Sequence, residues 1–216
     1  MLSFDSFFTA CAGLWKTERI YHFVTKGEVE RSYTEFRATA LGSGDKQQIL
    51  SMVAPDDEPG GLQMKLSADA MGALCPGFAI HFDTESETGE KVSMSLKALF
   101  VPEEHVLLTE ANRAGLLLPS AAQVSDDDRE LIRGYYLRDQ GYSEAGAIAG
   151  RFTYQPTRQT LEMTTYYNRS VAVDQMRFVA PDLRMRTIVT YQRPAAGEVP
   201  TVIDLIGFGV ERKVEA

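Results

Sequence analysis

The amino-acid sequence predicts an all-β protein with an N-terminal α-helix, folded as one domain over residues 1–216. At least eight short segments rich in β-branched and aromatic residues alternate with turn signals, and helical patterns occur only at the edges of that series. Such a series folds as a β-sandwich or as a closed barrel. The barrel is favoured because closure leaves no strand edge unpaired.

The first predicted element is a short helix within residues 1–13. Its apolar side chains recur at intervals of three and four residues: Phe4, Phe7, Phe8 and Cys11. Ser3 is placed to act as the N-cap, and Gly13 ends the pattern. The pattern predicts one amphipathic helix before the first strand.

The strands follow this helix as a series separated by turns. The predicted strands span residues 14–25, 29–41, 78–83, 91–101, 105–110, 146–154, 159–168, 172–179, 183–192 and 201–211. Turn residues such as Lys26-Gly27 and Pro181-Asp182 join consecutive strands, which indicates an antiparallel meander.

Two regions differ from the strand series. Residues 42–77 combine glycine- and proline-rich stretches with small residues, so we expect an insertion-like region of loops around a short helix or strand. A second helix is predicted after Ser125, because its hydroxyl can cap a run of acidic residues that favour the positive end of a helix dipole.

Composition excludes several functions. The 30 acidic residues outnumber the 22 basic residues and give a net charge of -8, so we expect no nucleic-acid partner. No apolar run approaches the roughly 20 residues that cross a bilayer, so no membrane insertion is expected. The N-terminus lacks a basic leader, and Asp5 interrupts its apolar stretch, which predicts a cytoplasmic protein without a signal peptide.

Motifs for catalysis are scarce. The three histidines, at positions 22, 81 and 105, lack metal-ligand spacing, so no metal site is expected. Neither a phosphate-binding glycine loop nor a Gly-x-Ser-x-Gly nucleophile motif occurs. Cys11 and Cys75 are too few for a disulfide framework and are predicted to be small buried side chains rather than nucleophiles.

Two arginines stand two residues apart in a predicted strand. Because side chains alternate between faces, Arg184 and Arg186 share one face about 7 Å apart, which suits a ligand with two carboxylates. The opposite face carries Met185 and Val189, so alternation alone would make that face the core and the arginines a solvated surface. Both interpretations stay open at this point. Asp174, in the preceding strand, is expected at the far end of the hairpin from Arg184.

Three segments, in this order along the chain, resemble those of a known protein family. They are Gly13-x-Trp15-x-Thr17-x-Arg19-x-x-His22, the run Leu137-Arg138-Asp139-Gln140-Gly141-Tyr142, and residues 174–187 around the arginine pair. The set is similar to that of the CpcS/CpeS (S/U-type) phycobiliprotein lyases, the bilin lyases of cyanobacteria and some algae. The resemblance implies a lipocalin-like or fatty-acid-binding-protein-like antiparallel β-barrel of about ten strands with an N-terminal α-helix.

The resemblance also implies an activity. Members bind an open-chain tetrapyrrole, phycocyanobilin or phycoerythrobilin, and promote its thioether attachment to a cysteine of a phycobiliprotein subunit. The bilin is then a substrate, no cofactor is permanently bound, and the attacking thiol belongs to the acceptor. By the same resemblance, Asp174 is the catalytic carboxylate, and the arginine pair holds the bilin propionates. The bilin-binding residues that the resemblance implies are Trp15, Arg19, Phe82, Arg184 and Arg186.

Two other functions stay open. The same barrel with an arginine clamp suits a non-catalytic carrier of an amphipathic carboxylate such as a fatty acid. Alternatively, the chain is a non-catalytic subunit of a heteromeric lyase. The partners expected of a lyase are the bilin, an α or β subunit of the acceptor phycobiliprotein, and a second lyase subunit in a homodimer or heterodimer.

Overall fold

The computed structural model describes residues 1–53, 62–107, 117–122, 130–142, 144 and 146–214. Ten strands close into one antiparallel barrel, because the first barrel strand pairs with both the second and the last. The closed barrel, rather than the sandwich, is therefore confirmed. None of the helices in the described ranges is long and apolar enough to span a membrane.

The elements are named in chain order. The helices are Phe4–Cys11 (α1), Ser43–Val53 (α2) and Ala68–Leu74 (α3). The barrel strands are Gly13–Phe23 (β1), Glu28–Ala40 (β2), Gly77–Ser86 (β4), Lys91–Pro102 (β5), Ile132–Arg138 (β7), Ile148–Gln155 (β8), Thr160–Tyr166 (β9), Ser170–Ala180 (β10), Leu183–Gln192 (β11) and Ile203–Val214 (β12). Two short strands, Gln63–Met64 (β3) and Val106–Leu107 (β6), pair with each other outside the barrel. Around the barrel the order is β1-β12-β11-β10-β9-β8-β7-β5-β4-β2.

Helix α1 covers one end of the barrel. Ser3 caps the helix by accepting a hydrogen bond from the Ser6 amide at 3.2 Å, as the sequence predicts. Its buried aromatic side chains enter the barrel, where the ring of Phe8 lies 4.6 Å from that of Phe100. These rings belong to one apolar cluster that fills the covered end of the barrel.

The region 42–77 contains both kinds of element that the sequence left open. Helices α2 and α3 lie on the outer face of β5 and β7, where Ile49, Met71, Leu99 and Leu137 are buried in a second apolar cluster. Their side chains cover a stretch of the barrel wall that would otherwise face water. The helix predicted after Ser125 lies outside the described residues.

Gly134 is required by close packing in the barrel wall. A Cβ at this buried position would lie 2.2 Å from the carbonyl oxygen of Val101 and 2.5 Å from Cε1 of Phe152. Both distances are far shorter than a normal contact, and the carbonyl belongs to the sheet backbone. A larger residue here therefore has to displace a neighbouring strand or the aromatic cluster.

We expect Gly134→Ala to lower the free energy of unfolding by about 1–3 kcal/mol, the usual cost of overpacking a core. Urea unfolding followed by circular dichroism measures this change. Gly44→Ala is the matched control, because no atom lies within 4 Å of a Cβ at that helical position. Equal stability of the two variants would contradict the packing argument.

Candidate functional site

The open half of the barrel contains a cavity of about 490 Å³. Because strand side chains alternate, every second residue of the surrounding strands faces it. Its aromatic lining residues are Tyr21, Phe36, Phe82, Tyr136, Tyr142 and Tyr167. The volume lies within the range of about 300–1,000 Å³ that is usual for small-molecule sites.

The cavity wall is positively charged although the whole chain is not. Among the described residues, three arginines, Arg19, Arg138 and Arg186, line the cavity against one carboxylate, that of Asp174, which leaves an excess of two positive charges. The chain as a whole carries a net charge of -8. A cavity of this sign favours an anionic ligand.

Arg186 and Asp174 form a forked ion pair in the wall. The Nε of Arg186 donates to Oδ1 of Asp174 at 2.9 Å, and Nη2 donates to Oδ2. Asp174 lies opposite Ile188 in the β10–β11 ladder, one diagonal step from Arg186. The expected separation of Asp174 from Arg184 agrees with the register, because Arg184 lies opposite Phe178, four residues from Asp174 and next to the turn.

Glu211 is a fully buried carboxylate that lies beneath the cavity and forms ion pairs with three arginines. Arg184 contacts its Oε2 through Nη2 at 2.7 Å and through Nε at 2.9 Å. Arg19 and Arg186 approach its Oε1 at 3.3 Å and 3.7 Å. Burial alone would raise the pKa of Glu211, but these three guanidinium groups outweigh it and hold the pKa below its usual value.

Arg184 and Trp15 lie below the cavity and do not line it. The guanidinium carbon of Arg184 is 4.1 Å from the centroid of the Trp15 ring, and its Nη1 donates to Sγ of Cys11 at 3.1 Å. The indole Nε1 of Trp15 donates to the Cys11 carbonyl at 2.9 Å. These contacts join β1 and β11 to the end of α1.

The predicted site residues therefore fall into two layers. Arg19, Phe82, Asp174 and Arg186 line the cavity, and Trp15 and Arg184 form the layer between the cavity and α1. The interpretation of the arginine pair as a solvated surface is wrong, because Arg184 is 2% exposed whereas Met185 on the opposite face is 48% exposed. Alternation misleads here because the barrel interior holds a polar cavity.

Sequence reasoning missed two charged residues of the barrel interior, Arg138 and Glu211. Arg138 shares a strand face with Tyr136, and both line the cavity. Glu211 follows Gly207 and Gly209 at alternate positions of β12, where the two glycines leave room for inward-facing side chains of β1. The sequence signal that could have indicated Glu211 is its position: it shares a strand face with Gly207 and Gly209, two residues further along.

Neither cysteine of the chain is exposed. Cys11 and Cys75 are each 1% exposed. Burial raises the pKa of the Cys11 thiol despite its contact with Arg184, and burial raises that of Cys75 to about 12. Both thiols are therefore protonated near neutral pH, and their burial agrees with the prediction that the cysteines are small buried side chains.

The fold and the cavity define a class: a lipocalin-like antiparallel barrel that encloses a small-molecule site. The model of the CpeS-like protein family matches residues 3–126 and 118–214. The chain belongs to this family. It is 37% identical to chromophore lyase CpcS/CpeS 1 of Synechococcus sp. (strain JA-3-3Ab) over 98% of this chain and 96% of that protein.

More distant proteins agree with this assignment. Chromophore lyase CpcS/CpeS 2 of Synechocystis sp. (strain ATCC 27184 / PCC 6803 / Kazusa) is 24% identical over 84% of this chain and 77% of its own length. The structure of the S-type phycobiliprotein lyase CPES from Guillardia theta superimposes with a TM-score of 0.62 at 18% identity, covering 100% of this chain and 94% of that one. This structural likeness confirms the ten-stranded barrel fold.

Glu211→Gln is expected to lower the free energy of unfolding by about 3 kcal/mol, because it leaves the buried Arg184 without a carboxylate partner. Urea unfolding at neutral pH measures the loss. Glu18→Gln is the control, since Glu18 is exposed on the outer face of β1, and its effect should stay within about 0.5 kcal/mol.

Wild type and Glu211→Gln also test the lowered pKa of Glu211. A carboxyl group with a lowered pKa in the folded state stabilises the fold above its unfolded pKa, about 4.3, and loses that effect as the pH falls below it. The stability difference between wild type and Glu211→Gln should therefore be constant above about pH 5 and shrink in more acidic solution. A difference that does not change with pH would contradict the ionised state of Glu211.

Proposed function

We propose that this chain is a phycobiliprotein chromophore lyase. It binds an open-chain tetrapyrrole, phycocyanobilin or phycoerythrobilin, and promotes thioether formation between that bilin and a cysteine of a phycobiliprotein subunit. The observation that carries the proposal is the enclosed, positively charged cavity that contains Asp174. It occurs in a chain whose 37% identical relative is named a chromophore lyase.

The cavity suits the shape and charge of a bilin. A bilin is a flat conjugated molecule with two propionates, and aromatic side chains such as Phe36 and Phe82 offer it apolar contact surface. The excess of two positive charges in the wall equals the charge of two carboxylates. A fatty acid carries one carboxylate and would leave one of these charges without a partner.

Asp174 is the carboxylate that acts on the bound pigment. A carboxylate has about four acceptor sites, of which Arg186 occupies two, so Asp174 retains capacity to accept hydrogen bonds from pyrrole N–H groups. The negative charge also stabilises a protonated bilin. Arg186 is a positioning residue in this scheme, because its forked ion pair fixes the orientation of the Asp174 carboxylate.

Arg184 and Trp15 support the site from below. Arg184 has its donor groups engaged by Glu211 and Cys11, and its guanidinium lies over the Trp15 ring. We assign both residues to the support of the cavity floor, in place of the ligand contacts that the resemblance implies. Arg19 and Phe82 line the cavity, which supports their assignment as ligand contacts.

Orientation of the two reactants is the main contribution of this protein to the reaction. Its own thiols are buried and protonated, so the attacking thiolate comes from the acceptor subunit. Fixing the bilin in one conformation with ring A presented to that thiolate lowers the entropic cost of the encounter. Asp174 adds electrostatic stabilisation of charge on the pigment.

Bilin uptake and transfer test this function directly. The purified chain mixed with phycocyanobilin or phycoerythrobilin should change the visible absorption of at least one pigment, because the cavity restrains its conformation. Addition of an apo-phycobiliprotein should then give colour that stays on the acceptor after denaturation in acid. An acceptor whose bilin-binding cysteine is replaced by serine is the control and should stay colourless.

The outcomes separate the open functions. If neither pigment changes its absorption spectrum, the lyase proposal is contradicted. Binding of a fluorescent fatty acid under the same conditions would then favour a fatty-acid carrier. Bilin uptake without transfer, restored by adding a related lyase subunit, would instead indicate one part of a heteromeric enzyme.

Asp174→Asn should separate binding from transfer. We expect bilin uptake to stay within a few-fold of wild type, and the transfer rate to fall by about 100-fold, because the variant lacks the charge that stabilises the protonated pigment. Single-turnover transfer to the acceptor measures the rate. Asp182→Asn, in the exposed turn between β10 and β11, is the matched control. An unchanged transfer rate in Asp174→Asn would remove Asp174 from the reaction.

A further inference from the structure

Three arginines of the barrel interior, Arg138, Arg184 and Arg186, differ in the occupancy of one side of the guanidinium group. In Arg184 and Arg186, the side-on fork formed by Nε and Nη2 is filled by a carboxylate, from Glu211 and Asp174 respectively. In Arg138 the same two nitrogens, Nε and Nη2, have no hydrogen-bond partner among the described residues. This fork is the part of a guanidinium that binds a carboxylate through two parallel hydrogen bonds.

Arg138 is held in place although its fork is empty. The side chain is 1% exposed, and its Nη1 donates to the hydroxyl oxygen of Tyr167 at 2.9 Å. Its guanidinium carbon lies 4.3 Å from the centroid of the Tyr142 ring. The third nitrogen therefore fixes the orientation of the fork, as a preorganised binding group requires.

A buried guanidinium without a carboxylate is costly, because the charge has lost its hydration. The chain supplies carboxylates to the other two arginines but none to Arg138 among the described residues. Arg138 also lines the cavity, whose wall carries an excess of positive charge. A group delivered by the ligand accounts for this arrangement.

The position of Arg138 in the barrel sets it apart from Arg186. Strands β7 and β11 are separated by three strands in one direction and by five in the other, so the two arginines stand on nearly opposite walls. Arg186 is already occupied by Asp174, which acts on the body of the pigment in the proposed function. A ligand carboxylate bound by Arg138 would anchor the molecule from the facing side.

We propose that the Nε–Nη2 fork of Arg138 binds one carboxylate of the ligand through two parallel hydrogen bonds. The inference rests on the proposed function, in which the ligand is a bilin and the carboxylate is a propionate. Tyr142 covers the guanidinium and is 51% exposed, so its ring shifts when the carboxylate enters. The resemblance implies that the Arg184–Arg186 pair holds both propionates; we assign one of them to Arg138 instead, since Arg184 does not line the cavity.

The test compares phycocyanobilin with its dimethyl ester, in which neither propionate carries a charge. Wild type should bind the free acid roughly tenfold or more tightly than the ester, because the uncharged ester cannot accept the two charge-assisted hydrogen bonds from Nε and Nη2. Arg138→Met should weaken binding of the free acid by roughly 30-fold and lower the preference for the free acid over the ester by about tenfold, because only the other propionate still distinguishes them. Titration followed by visible absorption gives each dissociation constant.

Two controls exclude a structural effect. Arg177→Met removes an arginine from the exposed outer face of β10, and its preference for the free acid should equal that of wild type. The melting temperature of ligand-free Arg138→Met should equal or exceed that of wild type, because the variant removes a buried unpaired charge. A purely structural role predicts the opposite change in melting temperature.

The outcomes separate this inference from the function on which it rests. If wild type takes up neither bilin, the proposed function and this inference are both contradicted. If wild type takes up a bilin and Arg138→Met still prefers the free acid as strongly as wild type does, only the inference about Arg138 is overturned. It is also overturned by a variant that melts at a lower temperature and loses affinity for acid and ester equally.

Discussion

The buried carboxylate of Glu211 is the constraint on which the barrel interior depends. Of the residues that the structure describes, four arginines face that interior, and three of them approach this one group within 3.7 Å. Without a negative charge at this depth, the guanidinium groups would repel each other in a medium that screens poorly. Arg186 then extends the alternation of charge to Asp174 at the cavity wall. The polar network thus runs from the barrel floor to the site.

This network divides the barrel into two parts with different physical properties. Below Glu211, aromatic rings of α1 and the strands pack into one apolar cluster, and Trp15 is fully buried. Above it, the walls stay apart and leave about 490 Å³ for a ligand. The ion pair with Arg186 holds the Asp174 carboxylate in a defined orientation in the absence of a ligand. Such preorganisation is what a site that acts through orientation requires.

Much of the fold follows from local sequence, whereas the site depends on contacts between distant residues. The residue types at Ser3 and at Pro181-Asp182 predict a helix cap and a tight turn, and the structure has both. The meeting of Arg184 with Glu211 joins residues 27 positions apart, and no local pattern encodes it. Alternation in β11 also assigned the faces in reverse, since it assumes an apolar interior. The family resemblance, rather than periodicity, indicated the correct face.

The burial of both thiols has a consequence for repeated use of the protein. A pigment that forms thioethers reacts with any accessible thiolate, including one on its own carrier. Because Cys11 and Cys75 are enclosed and protonated, the chain cannot become a product of the reaction that it promotes. In the proposed function, each molecule can therefore release one bilin and bind another without being inactivated by labelling itself.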